Sequence, residues 1–180
     1  MRGYRYDLWE IASERHGVVT IPEAEDAGVP AVEVRKLAHR GALRAYGKGV
    51  YVHLGVPMTE FTQVAVALAL AGNGAFLHRE AVFDLLGLGQ FNPHRIRVAT
   101  RRRVRRSLPE WVELEMRPEV PDGDVTRYEG VPATTVRRAL EDIRDSVPLE
   151  RWKALADQAY RRELLDDRDM RGLSQWWQLA

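Results

Sequence analysis

Cysteine is absent from the 180-residue chain. Its absence excludes disulfides and thiolate metal sites, and makes a reducing cytoplasm the simplest expected location. Long apolar runs are missing too. The longest candidate, "QVAVALALAG", stops well short of membrane-spanning length. The opening "MRGYRYDLWE" lacks the apolar core of a signal peptide. There is no G-x-S-x-G, no P-loop, and no G-x-G-x-x-G leading into a helix. His16, His39, His53, His78 and His94 are scattered without metal-ligand spacing. No catalytic residue, metal or cofactor is therefore expected.

Net charge is scarce as well, since 27 Lys and Arg face 26 Asp and Glu. The near-balance hides a lopsided distribution. Residues 1–58 carry 8 basic against 7 acidic groups, 59–118 carry 9 against 6, and 119–180 carry 10 against 13. The stretch "FNPHRIRVATRRRVRR" (91–106) holds seven Arg and no acid, which points to a polyanion partner on one face.

What is present begins with helices. "YDLWEIASERHG" sets Leu8, Ile11 and Ala12 at helical spacing before Gly17, which predicts a helix over about residues 5–16. After the extended "VVT", Thr20 and Glu23 fit a capping box that opens a short second helix over about 21–27. Pro30 suits the first position of a third helix, and Gly41 suits its end. Val34, Leu37, Ala38 and Gly41 recur along one face of that helix. At 100° per residue Lys36 lies nearly opposite, with Val32 and His39 beside it and Glu33, Arg35 and Arg40 on the flanks. The outward face is thus mostly cationic. "LRAYGKGVYVH" then reads as a hairpin around a Gly-rich turn.

Helix, short helix, tight turn, helix and hairpin is the order of a winged helix-turn-helix, in which the third helix enters the major groove and the wing lies along the backbone or minor groove. The expected DNA contacts are Arg35, Lys36, His39 and Arg40 on the helix, with Arg44 and Lys48 on the wing. Arg101, Arg102, Arg103, Arg105 and Arg106 are expected to grip phosphates as well. The expected architecture is α+β: a winged helix-turn-helix over 1–56, then a mixed helix and sheet domain over 57–180.

In the second domain, "EFTQVAVALALAG" reads as a helix buried on most sides, and "AFLHREAVFDLLGLG" as another helix. "HRIRVAT" and "WVELEMR" alternate like strands with one buried face, the second presenting Val112, Leu114 and Met116. "DVTRYEGVPAT" adds a strand and turn. Two helices follow, built on Val136, Leu140 and Ile143 and on Leu149, Trp152, Leu155, Ala156 and Ala159, and "DDRDMRGLSQWWQLA" holds a last short one with capping Asp residues. Trp176 and Trp177 are expected to pack against the domain. Glu113, Glu115, Asp122 and Asp124 are the only carboxylates that could serve a nuclease, and no Lys follows at the spacing such a site uses.

The segments together resemble the AbiEi-type antitoxins of bacterial type IV toxin-antitoxin systems linked to phage abortive infection. The resemblance is carried by "RKLAHRGALRAYGKGVYV", by "AFLHREAVFDLLGL" with "HRIRVATRRR", and by "YEGVPATTVRRALEDI". It implies a non-enzymatic protein that represses its own operon by binding double-stranded DNA at upstream inverted repeats. It also implies a second domain that counteracts a nucleotidyltransferase-like toxin encoded next door. A stand-alone winged-helix regulator with a sensing or oligomerising second domain is the alternative.

Overall fold

Leu8 and Ala12, one helical turn apart, are fully buried and fix the inner face of helix α1 (Tyr4–Ser13). The computed structural model describes residues 3–91 and 94–177, the side chain of Trp177 excepted. Helix α1 ends earlier than its periodicity suggests. His16 and Gly17 both take left-handed backbone, and the Gly17 amide donates to Ala12 O at 2.8 Å. Strand β1 (Val18–Thr20) leads straight into helix α2 (Ile21–Asp26). Its capping box forms as expected: the Thr20 hydroxyl accepts from the Glu23 amide, and the Glu23 carboxylate accepts from the Thr20 amide at 3.0 Å.

Helix α3 (Ala31–His39) follows Pro30, and β2 (Leu43–Gly47) and β3 (Val50–His53) form the hairpin. The three strands make one antiparallel sheet in the order β1-β3-β2. Val19, Leu43 and Tyr51 project into a core with Leu8, Ala12, Ala24, Val29 and Val34. Burying a side chain of this size stabilises by about 1.5–3 kcal/mol, so this core holds α3 in place.

Strand neighbours alternate faces, so Val18, Val50 and Val52 occupy the opposite side of the sheet, and they are buried too. Helix α4 (Thr62–Ala71) packs on β1 and β3 and covers that side. The first compact unit accordingly runs to residue 73 and the second starts at 74, whereas the sequence suggests a junction after 56.

The second unit is built on a five-stranded mixed sheet in the order β6-β5-β4-β8-β7. "AFLHREAVFDLLGLG" is not one helix. Phe76–Leu77 is strand β4, and Arg79 turns through left-handed backbone into helix α5 (Glu80–Leu85). Strand β4 pairs with β5 (Ile96–Thr100) on one side and β8 (Val131–Thr134) on the other, so long-range pairing overrides a locally helical pattern.

Strand β6 (Val112–Met116) lies at the sheet edge, parallel to β5. Of its expected buried residues Val112 is buried, Leu114 is half-buried and Met116 is 54% exposed, because among the described residues no strand pairs on the outer side. Strand β7 (Val125–Tyr128) turns into β8 through Glu129 and Gly130, both left-handed. Helix α6 (Val136–Ile143) is capped by Thr135, buries Val136, Ala139, Leu140 and Ile143, and packs against α5, α7 (Leu149–Arg161) and α8 (Asp167–Trp177).

Candidate nucleic-acid interface

Helix α3 is fixed at both ends by its own sequence. Pro30 sits in extended backbone at its start. At its end Gly41 takes φ 77°, its amide donates to Ala38 O at 3.0 Å, and the Ala42 amide donates to Leu37 O at 2.9 Å. These two bonds close a Schellman motif and turn the chain directly into β2. The inner face carries Val34, with Leu37 and Ala38 packed beside it. Arg35, Lys36, His39 and Arg40 lie on the solvent side. The Lys36 ammonium donates to the Glu33 carboxylate at 2.8 Å, an exposed pair worth little to stability.

The wing is short and held at its tip. Gly47 pairs with Val50 across a turn of Lys48 and Gly49, the latter at φ 77°. Gly49 O accepts from the Ile21 amide at 2.9 Å. A Cβ at Gly47 would run into the terminal methyl Cδ2 of Leu70 on α4, so any larger residue there requires the Leu70 side chain to shift. Arg44 on the edge strand and Lys48 at the turn are exposed. Among the described residues Arg35, Arg40, Arg44 and Lys48 form no ion pair. Four cations without an ion-pair partner therefore stand on α3 and its wing, although the chain's net charge is near zero.

The Arg run has a different character. It forms the connection between the parallel strands β5 and β6 in the second unit. Arg101 is half-buried: its Nε donates to Val120 O at 2.8 Å, its Nη2 lies 3.0 Å from Asp122, and its guanidinium stacks over Phe76. Arg102, Arg103, Arg105 and Arg106 are exposed. Arg97 pairs with Glu80 at 3.1 Å and lies 3.7 Å from Glu113.

A buried polar cluster in the second unit is not evident as a cluster from the sequence. Arg117, 7% exposed, donates twice to Asp142, at 3.1 and 2.9 Å, and also engages Glu119 and His78 Nδ1, the last at 3.2 Å. Arg138 adds bonds to Asp142 at 3.0 Å and Asp124 at 3.3 Å. Arg117 and Glu119 follow β6, Arg138 and Asp142 lie one turn apart on α6 and His78 follows β4, so only the tertiary fold brings these three segments together. Glu115 lies 3.8 Å from His78 and 3.9 Å from Arg117. No group of three or more His, Asp or Glu suited to a metal occurs among the described residues. Trp176 is partly exposed beneath the Arg144 guanidinium, and the Trp177 side chain lies outside the described residues.

Three helices, the strand order β1-β3-β2 and a cationic third helix beside a two-residue wing turn define the N-terminal region as a winged helix-turn-helix. Residues 7–52 match the model of the family described as "Transcriptional regulator, AbiEi antitoxin". Among solved structures, the crystal structure of the RV2827C protein from Mycobacterium tuberculosis is similar with a TM-score of 0.47 at 19% identity, over 94% of this chain and 70% of that one. No curated protein sequence matches the chain. No helix among the described residues is long and apolar enough to cross a membrane.

Proposed function

We propose that the protein is a cytoplasmic, non-enzymatic DNA-binding regulator of AbiEi antitoxin type that represses its own operon. The observation that carries this reading is the exposed cationic surface of α3 and the wing, within a region matching the antitoxin family. Helix α3 enters the major groove with Lys36 and His39 foremost and Arg35 and Arg40 toward the two strands. Arg44 and Lys48 meet phosphates, and the exposed Arg102, Arg103, Arg105 and Arg106 add further backbone affinity. Arg101, tied to Val120 and Asp122, serves mainly to anchor the run.

The second unit supplies antitoxin activity against a nucleotidyltransferase-like toxin encoded beside it. A gel-shift titration on the DNA upstream of the gene tests the regulator reading. Nanomolar-range binding is expected, weakened at least tenfold by Lys36→Ala with Arg40→Ala, the effect of losing about 1.4 kcal/mol. Equal affinity in the double variant contradicts the site. Co-expression with the neighbouring gene, scored for growth rescue, tests the antitoxin reading.

A further inference from the structure

We propose that Val32 reads a thymine methyl group, so that the protein selects an A·T pair through an apolar contact set among cationic ones. The inference rests on the DNA-binding reading above and concerns which base is chosen.

Val32, Lys36 and His39 recur at i, i+4 and i+7 and form the outermost ridge of α3, opposite the buried Val34. Val32 stands in the first turn, and residues near the start of a recognition helix are those that reach base edges. The residue is 51% exposed. Neither folding nor helix propensity explains a valine there. It is not among the residues of the core cluster that includes Leu8, Val34 and Tyr51, and a β-branched residue is a poorer helix former than the alanine or lysine that would keep the face soluble.

Its surroundings also keep it uncovered. A lysine one turn along a helix can lay its methylene stem over an exposed apolar neighbour. Here Glu33 holds the Lys36 ammonium at 2.8 Å. At 100° per residue Glu33 and Val32 lie on opposite sides of Lys36, so in this pairing the ammonium lies on the side away from the isopropyl group. In the major groove the apolar feature a base pair offers is the C5-methyl of thymine, and the other base edges present hydrogen-bonding groups. An isopropyl group presented there finds its match only at thymine.

The test uses the full chain and duplexes selected by it from a random double-stranded library. In the best-bound duplex each thymine is replaced in turn by uracil, which removes the methyl and nothing else. At one or more positions affinity should fall roughly three- to fourfold, the worth of one buried methyl group. Val32→Ala, whose shorter side chain cannot reach the same methyl, should be indifferent to that replacement. Arg35→Ala should bind more weakly overall yet keep the sensitivity. Indifference of the wild type to every uracil, or retained sensitivity in Val32→Ala, overturns the inference while the DNA-binding reading stands. So does binding without sequence preference. Failure to bind any duplex overturns the DNA-binding reading itself, and this inference with it.

Discussion

His78 is 1% exposed and its Nδ1 accepts from the Arg117 guanidinium, so the neutral ring carries its proton on Nε2. Burial, reinforced by the positive charge of Arg117, pushes its pKa from 6.5 down to about 4. A histidine with a lowered folded pKa binds fewer protons than its unfolded counterpart between those two values. Stability is therefore complete above about pH 6.5 and declines as pH falls toward about 4, by roughly 3 kcal/mol at most. Burial lowers the pKa of His53 as well, so the first unit loses stability in the same direction. Unfolding midpoints measured from pH 7 to pH 4.5 should fall less steeply in His78→Gln than in the wild type; parallel curves would contradict this assignment. Arg117 presents the complementary case. Arg117→Met leaves the buried Asp142 with Arg138 alone and should cost about 3 kcal/mol in denaturant unfolding, of which Asp142→Leu in the same chain should restore part.

The elements of the first unit depend on two glycines for different reasons. Gly41 ends α3 in left-handed backbone with open space around it, so Gly41→Ala should cost about 1 kcal/mol from conformation alone. Gly47 has ordinary backbone but faces the packed Leu70, so Gly47→Ala should cost about 1–2 kcal/mol by forcing the buried Leu70 side chain to repack. Chemical denaturation of the two variants separates the causes, and equal small losses would refute the close packing of α4 on the wing. These elements differ in how far the sequence reveals them. The capping box at Thr20, the apolar stripe of α3, Gly41 as its stop and the hairpin turn are all legible, because each is written in residues a few positions apart. Strand β4 is not. Its two apolar residues fit a helix as well as a strand, and their partners Ala99 and Ala133 lie far along the chain. The Arg117 cluster is hidden for the same reason. Helix α4 leaves a readable trace: "VVT" and "VYVH" lack the polar alternation of a sheet with one open face, which implies a cover on both sides.

On the scale of the whole molecule, a formal net charge of +1 gives no general attraction to a polyanion, so any affinity for DNA must come from where the charges stand. Among the described residues Arg35, Arg40, Arg44 and Lys48 form no ion pair, and they lie on the solvent side, so replacing them with alanine should leave the fold intact. The direct measurement is the dependence of duplex affinity on salt concentration for the wild type and for the variant carrying Arg35→Ala, Arg40→Ala, Arg44→Ala and Lys48→Ala. The plot of log affinity against log salt should become shallower by roughly 0.9 for each phosphate that the variant no longer neutralises. An unchanged slope in a folded variant would mean that helix α3 and its wing do not hold the double helix.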